Sequence, residues 1–278
     1  MMAAALSMAG CQDLERPVLG EYQTDEPIVG DLKFFAPFDG DYVEDMKKSV
    51  GKGAGASFVT GVNGQAVELD GKAGSIVSMR TTNDFKNATS FTVSYWLKMN
   101  APSKSGAQFV WSNPTTSGEW PGANTFQLIE DGGQSNNGLM ATKFVVHGAW
   151  LEFVFNAETG IDNRIPGVMN NQWHHWVLTY NESTSLMTVF LDGKKQALTK
   201  LVEKDDTSST ENPKPRIPYG KADLSKSTKF VIGGPPHPAL GTTPDDWMTT
   251  YQGGLDQFRM YSKVLTDAEI TALFSGKE

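Results

Sequence analysis

The sequence is poor in the residues that build disulfide, zinc or membrane-spanning structures. Its 278 residues include one cysteine, Cys11, which excludes an intrachain disulfide framework and a CxxC-type zinc site. It has no apolar run of about 18 residues or more, as a membrane-spanning helix would need, and no HExxH, GxSxG or Walker A motif. The 24 Lys and Arg are outnumbered by 32 Asp and Glu, for a net charge of −8. Because no basic stripe is present either, we expect no nucleic-acid partner.

What the sequence has in quantity is short alternating segments separated by turns. Its 28 glycines and 14 prolines suit a protein of many turns. Residues 90–99, SFTVSYWLKM, alternate with a period of two, and Asp192-Gly193 is a strong hairpin signal. A series of such segments between residues 32 and 265, with almost no helical periodicity, predicts an all-β, antiparallel two-sheet sandwich.

One short helix is predicted at the C-terminus. Thr266 and Glu269 fit a capping box, and Ile270, Leu273 and Phe274 would share one face of the helix. Residues 200–228 are polar and contain TSSTENPKPRIP, so we expect a long exposed loop there.

Two adjacent histidines, His174 and His175, stand between tryptophans in QWHHW and raise the question of a metal or catalytic centre. Successive side chains of a strand point to opposite faces, so the pair cannot converge on one ion. A catalytic zinc site also usually has three protein ligands. Bulky residues on both faces of residues 172–180 instead predict a central strand that is covered on each side.

The first thirty residues differ in character from the rest. SMAGC, which ends at Cys11, resembles a bacterial lipobox, with Met8 in the place that usually holds Leu. The resemblance implies a lipidated Cys11 and a flexible tether over residues 12–30. Because Gln12 follows the cysteine, we expect a lipid anchor in the bacterial outer membrane. The alternative is a disordered leader that contains a cysteine by chance.

Four segments carry a family resemblance, and they occur in the order SFTVSYWLKM, QWHHWVLTYNESTSLMTVFLDGKK, FVIGG and YQGGLDQFRMYSKVLTDAEITALF. Together they resemble the laminin-G-like members of the concanavalin A-like lectin/glucanase jelly rolls, of the type found in Bacteroidota surface lipoproteins. LKFFAPFDG is similar to the first strand of that family. The resemblance covers residues 31–278 and implies one jelly-roll domain behind the 1–30 tether, but a fold does not by itself fix a function.

The resemblance also implies one structural Ca²⁺ where the first and last strands meet. The matching residues are Asp39 and Asp41 of FDGD and Asp256 of GGLDQF. Carboxylate oxygens are ligands that Ca²⁺ prefers, and an ion there would pin the two ends of the sandwich together. The alternative is that Asp39 starts a turn and Asp256 accepts hydrogen bonds from backbone N–H groups.

Tryptophans at predicted loops and strand ends are the candidate ligand-binding residues. Trp120 in SGEWPGAN and Trp247 in TPDDWMTTY lie in loops by composition, and Trp150 follows HGA at a strand start. Their flat faces suit the apolar side of a sugar ring, and neighbouring polar groups would bind its hydroxyls. The polar candidates are Asn124, Asp245 and Asp246. For each tryptophan alone, the alternative is a rim aromatic that covers the sandwich.

Three functional hypotheses follow. The leading one is non-catalytic glycan binding at the bacterial cell surface, where the protein helps to capture polysaccharide for an uptake complex. The second is a structural or adhesive module that contacts other proteins of a surface complex. The third is a glycoside hydrolase, for which Glu68 and Asp70 of VELDGKAG come nearest to a same-strand carboxylate pair, although no third acid follows them.

Overall fold

The computed structural model describes residues 30–40, 43–44, 48–51, 55–72, 77–79, 83–99, 102, 106–116, 120–131, 133–147, 149–197, 220–227 and 229–277. In chain order the strands are β1 (Leu32–Ala36), β2 (Val43–Glu44), β3 (Lys48–Gly51), β4 (Ala56–Thr60), β5 (Gln65–Asp70), β6 (Val77–Met79), β7 (Phe91–Lys98), β8 (Ala107–Pro114), β9 (Ala123–Glu130), β10 (Leu139–Val146), β11 (Ala149–Phe153), β12 (Phe155–Asn156), β13 (Ile161–Asp162), β14 (Ile165–Pro166), β15 (Trp173–Asn181), β16 (Leu186–Leu191), β17 (Lys194–Lys195), β18 (Val231–Ile232), β19 (Met248–Thr250) and β20 (Gln252–Tyr261). The helices are α1 (His237–Leu240) and α2 (Asp267–Gly276), and Asn83–Asn87 form a 3-10 turn. Cys11, Asp41 and most of the predicted 200–228 loop lie outside the described residues.

The strands form two main sheets, as the alternating pattern predicted. The first sheet has the order β17-β16-β15-β7-β20-β5-β4, and β1 also pairs with β20. The second has the order β11-β10-β9-β8-β18-β6-β3-β2, with β14 beside β10 and β19 parallel to β8. The first and last long strands of the described chain, β1 and β20, are antiparallel neighbours. The predicted antiparallel jelly-roll sandwich is therefore confirmed.

The main core lies between the two sheets. Trp176 of the first sheet packs against Phe144 of the second, with ring centroids 6.1 Å apart, and Tyr95 donates a hydrogen bond across the core to Gln127. The inner face of β7 carries the apolar residues of the alternating segment, all of them fully buried, and these are Phe91, Val93, Tyr95 and Leu97. Burying this apolar area is the main stabilising contribution to the sandwich.

Helix α2 covers the outer face of the first sheet. Its capping box is present, because Thr266 Oγ1 accepts from the Glu269 N–H and Glu269 Oε2 accepts from the Thr266 N–H at 2.7 Å. Ile270 and Leu273 pack on Val177 and neighbouring side chains, as the predicted helix face requires. Neither described helix has the length and hydropathy needed to span a bilayer.

The adjacent histidines belong to a central strand, as predicted. β15 lies between β16 and β7. His174 bonds Asp192 through Nδ1 at 2.9 Å, whereas His175 is fully buried beneath α2, with Nε2 2.9 Å from Ser94 Oγ. The two rings face opposite sides of the sheet and share no site.

Candidate functional site

The outer face of the second sheet carries a separate apolar cluster. Alternation on β9 and β10 turns Phe126, Leu128 and Val145 away from the main core. They form the cluster together with Phe109 of β8 and Met248 of β19. An apolar outer face needs a cover, because exposed apolar surface costs free energy in water.

Part of that cover is a stack of three tryptophans that we name the tryptophan strip (Trp150, Trp120 and Trp247). Trp120 lies in the middle, with its ring centroid 5.7 Å from that of Trp150 and 5.7 Å from that of Trp247. The planes are inclined by 28° and 22°, so both pairs are stacked. Trp120 comes from the β8–β9 loop, Trp150 from β11 and Trp247 from the segment before β19. The structure thus brings together all three tryptophans that the sequence put forward.

The strip stays accessible although its members touch. Trp120 is 53% exposed and Trp247 is 37% exposed. Trp150 is half-buried, with Phe126 edge-on at 5.9 Å, and Phe109 lies 6.2 Å from Trp247. The cluster beneath fixes the rings, so the strip is a preformed aromatic surface.

A set of charged side chains adjoins the strip at Trp150, and we name it the acid–lysine triad (Glu130, Lys143 and Glu152). Lys143 Nζ lies 2.8 Å from Glu130 Oε1 and 3.2 Å from Glu152 Oε1. The same Nζ lies 5.6 Å from the centroid of the Trp150 ring. Burial lowers the pKa of Lys143, but the two carboxylates outweigh it, and the net result is a raised pKa. Lys143 is therefore a fixed positive charge between two negative ones.

Sequence reasoning missed this triad as a unit. Glu152 is two residues from Trp150 on one strand, so a shared face is readable from the period of two. Glu130 and Lys143 lie on the neighbouring strands β9 and β10, where only the cross-strand register brings them to Glu152.

The predicted polar partners lie in two different environments. Asp245 and Asp246 are exposed and directly precede Trp247, at the other end of the strip from the triad. Asn124 is buried, and its Nδ2 donates to Ser227 Oγ at 3.0 Å and to the Asp223 carbonyl at 3.3 Å. Its amide holds the 220–227 segment, so we leave it out of the site proposed below.

Asp39 and Asp256 converge on the turn that joins β4 to β5. Asp39 Oδ1 accepts from the Gln65 N–H at 2.7 Å. Asp256 Oδ2 accepts from the Val62 N–H, also at 2.7 Å. A Cβ on Gly64, whose φ is +66°, would overlap Asp39 Oδ1, so the close approach of this carboxylate requires glycine there.

The Asp256 carboxyl is buried and electrostatically strained. Burial raises its pKa to about 7, and the nearby Asp39 carboxylate adds to the rise, against the opposing effect of backbone N–H donors that include Gln257. A cation between the two aspartates would offset the cost of burying this charge. The described residues contain no group of three or more His, Cys, Asp or Glu side chains arranged to hold a metal. The two carboxylates supply only part of the six to eight oxygen ligands that Ca²⁺ takes. Their hydrogen bonds to backbone N–H groups are by themselves enough to explain why both lie at this turn.

Glu68 and Asp70 of β5, the carboxylates considered for hydrolysis, each interact with other groups of the protein. Asp70 Oδ1 accepts from the Lys72 N–H at 3.0 Å, in the turn that follows β5. Glu68 faces Lys98 across the sheet at 3.8 Å, and burial raises the pKa of Glu68 despite that lysine.

Comparisons with known proteins agree with the architecture. The family described as the concanavalin A-like lectin/glucanases superfamily, in its laminin G type, matches residues 70–217. No curated protein gives a match to this sequence.

Solved structures with the same fold are distant in sequence. The binding domain of a paraclostridial mosquitocidal protein has 15% identity and a TM-score of 0.56, over 89% of this chain and 52% of that one. Domain 4 of an extracellular family 43 arabinanase from Geobacillus stearothermophilus, solved with arabinotriose, has 16% identity and a TM-score of 0.52, over 87% and 98%. A structure of botulinum neurotoxin type C, described with two ganglioside molecules, has 12% identity and a TM-score of 0.55, over 90% and 51%. This chain spans about half the length of the two toxin structures.

Proposed function

We propose that this chain, which belongs to the concanavalin A-like lectin/glucanases superfamily, binds carbohydrate without hydrolysing it, through the tryptophan strip. The observation that carries the proposal is a stack of three indole rings on one outer sheet face, of which Trp120 and Trp247 are substantially exposed. A sugar ring has an apolar face of C–H groups, and aromatic surfaces bind it by dispersion and by release of water. Hydroxyls at the edge of the sugar would meet the charged groups beside Trp150 and Trp247.

Structures of the same fold support the proposal. Domain 4 of the arabinanase was solved with arabinotriose, and the neurotoxin structure is described with gangliosides. Their ligands differ, so they support carbohydrate as the kind of ligand and not one particular sugar.

A binding screen tests the proposal directly. The full chain is run by affinity electrophoresis against a panel of plant, fungal and bacterial polysaccharides. We expect at least one to retard the protein, and Trp247→Ala or Trp120→Ala to weaken that binding at least about tenfold while the fold is kept. The matched control is Phe155→Ala, an aromatic that is 43% exposed in the β12–β13 hairpin and outside the strip. Equal binding by wild type and both tryptophan variants would rule the strip out as the site.

The absence of hydrolysis is tested on the same polysaccharides. Both triad carboxylates are bound to one ammonium, whereas a general acid must carry a proton to the leaving group. We therefore expect no new reducing ends after prolonged incubation. If the wild type releases oligosaccharides and the Glu152→Gln variant does not, the proposal of binding without hydrolysis is wrong.

We also propose the cellular setting that the N-terminal sequence indicates. A lipid on Cys11 would anchor the chain in the bacterial outer membrane, and the 12–30 tether would present the sandwich to polysaccharide and to an uptake complex. Cys11→Ser should move the protein from the membrane to the soluble fraction of cells. Membrane association that survives this substitution would exclude lipidation as the anchor.

Calcium is a separate proposal, and it concerns stability. Asp39 and Asp256 would hold one Ca²⁺ at the β4–β5 turn. A ligand at a hundredfold excess over its Kd stabilises the folded state by about 2.7 kcal/mol, so Ca²⁺ should raise the melting temperature of the wild type and of Asp246→Asn. It should not raise that of Asp39→Asn. If neither Ca²⁺ nor a chelator changes the melting temperature of the wild type, the proposed Ca²⁺ site is wrong.

A further inference from the structure

We infer that the ligand of the strip is an uncharged polysaccharide, that the acid–lysine triad binds its hydroxyls, and that the same triad disfavours anionic glycans. The inference rests on the proposed carbohydrate binding and deepens it, because it assigns the ligand class and names residues that select it. The observations that carry it are the geometry of the triad, its contact with Trp150, and the sign of the charges around the strip.

The geometry gives the triad a mixed hydrogen-bonding capacity. An ammonium has three N–H donors, and the two salt bridges of Lys143 use two of them. Each carboxylate binds Lys143 through Oε1, and the second oxygen of each keeps its capacity to accept a hydrogen bond. The triad therefore offers one donor beside several acceptors. A sugar hydroxyl both donates and accepts, so adjacent hydroxyls match this arrangement.

The position of the triad makes this capacity usable. Lys143, Glu130 and Glu152 side chains are 24%, 23% and 12% exposed, so they are shielded from bulk water but reachable. They stand on three neighbouring strands, whose ladders fix the spacing of the charges. Lys143 Nζ lies over the Trp150 ring. A sugar that contacts Trp150 therefore has its edge within reach of the triad, and the ordered side chains lose little further entropy on binding.

The charges disfavour an anionic ligand. The positive charge of Lys143 is already neutralised, since two carboxylates bind it, and the triad carries a net negative charge. At the other end of the strip, Asp245 and Asp246 are exposed beside Trp247. The whole chain has a net charge of −8. A uronate or sulfate group would meet negative charge at both ends, and like charges raise the free energy of the complex.

The experiment compares neutral and acidic ligands on the full chain. Neutral probes are arabinan, β-glucan and galactomannan; acidic probes are polygalacturonate and chondroitin sulfate, all at about 150 mM ionic strength so that distant charges are screened. We expect wild type to bind at least one neutral probe and neither acidic one. The double variant Glu130→Gln/Glu152→Gln keeps the side-chain shapes but leaves the Lys143 ammonium without a carboxylate partner. It should lose about tenfold in neutral affinity and gain binding to the acidic probes.

Two further variants separate the outcomes. Lys143→Met should weaken neutral binding without any gain for acidic probes, and Glu158→Gln, an exposed glutamate outside the triad, should behave as wild type. If the tryptophan variants lose binding while the double Gln variant keeps its affinity and selectivity, the triad has no part in recognition and the strip remains. Tighter wild-type binding to an acidic probe than to every neutral one overturns the assigned class. Binding to no glycan at all defeats the proposed function itself.

Discussion

Acidification should weaken the fold through His175, a residue that looks like part of a catalytic pair in the sequence. Its ring is fully buried between the first sheet and α2, 5.1 Å from the Trp96 ring centroid and 6.2 Å from that of Phe274. Nε2 lies 2.9 Å from Ser94 Oγ, and Nδ1 has no hydrogen-bond partner among the described residues. A proton on Nδ1 would therefore place an unpaired charge in an apolar site.

The size of the effect follows from the two pKa values. Burial lowers the pKa of His175 from 6.5 to about 4; Arg259 adds to the fall and Asp192 opposes it. Between these values the unfolded chain binds a proton that the folded chain does not, so the free energy of unfolding decreases as the pH falls. The gap between these two pKa values corresponds to roughly 3 kcal/mol once the pH is near 4, and to about 2 kcal/mol at pH 5. Above pH 7 the residue contributes no pH dependence.

The measurement is urea unfolding of wild type and His175→Leu at pH 7.5, 6 and 5. The quantity of interest is how the difference between the two stabilities changes with pH, because the titration of groups that do not interact with His175 cancels and the packing cost of the substitution does not depend on pH. We expect wild type to lose about 2 kcal/mol more than His175→Leu by pH 5. His174→Gln, on the opposite face, keeps His175 and should retain the acid loss. Parallel pH profiles for wild type and His175→Leu would refute the reasoning.

Three further predictions concern structural contacts near the proposed sites. Asn124→Ala should cost more than about 1 kcal/mol, because the amide bonds Ser227 and Asp223 from a buried position; hydrogen exchange should rise in residues 220–227, and unchanged exchange there would mean that the segment is held by other contacts. Gly64→Ala should destabilise by about 1 kcal/mol or more, since φ is +66° and the new Cβ overlaps Asp39; urea midpoints equal to wild type would contradict this. Thr266→Ala should lose about 1 kcal/mol with the capping box, and thermal unfolding that shows no loss would mean that packing alone sets the start of α2.

The parts of the fold that could be predicted from the sequence are those determined by neighbours along the chain. A period of two identifies β7 and β15 as strands, and Thr266 with Glu269 identifies the start of α2. The approach of Asp39 to Asp256 was also predicted, but through the family resemblance and not through local pattern. It depends on the pairing of β1 with β20, which no short stretch of sequence encodes.

The arrangement of the site could not be predicted, because it depends on register between distant segments. Trp120 and Trp247 are recognisable as loop aromatics, yet their stacking is set by where the loops fold across the second sheet. Asn124 shows the opposite error. The composition of SGEWPGAN suggests that Asn124 is a loop amide available to a ligand. Asn124 instead lies in β9, where its side chain is buried and hydrogen-bonded within the protein. Sequence identifies candidate groups, and only the tertiary structure decides which remain accessible.

The two outer faces of the sandwich are covered by different means, and this difference connects stability to the proposed function. On the first sheet, Ile270 and Leu273 of α2 close the face with buried side chains. On the second, the cover includes Trp120 and Trp247, which remain substantially exposed. An apolar surface left accessible on a folded chain commonly marks an interaction site, and a sugar bound there would complete the cover. Ligand binding should therefore raise the stability of the fold as well as occupy the strip, since a molecule that binds only the folded state shifts the unfolding equilibrium by mass action.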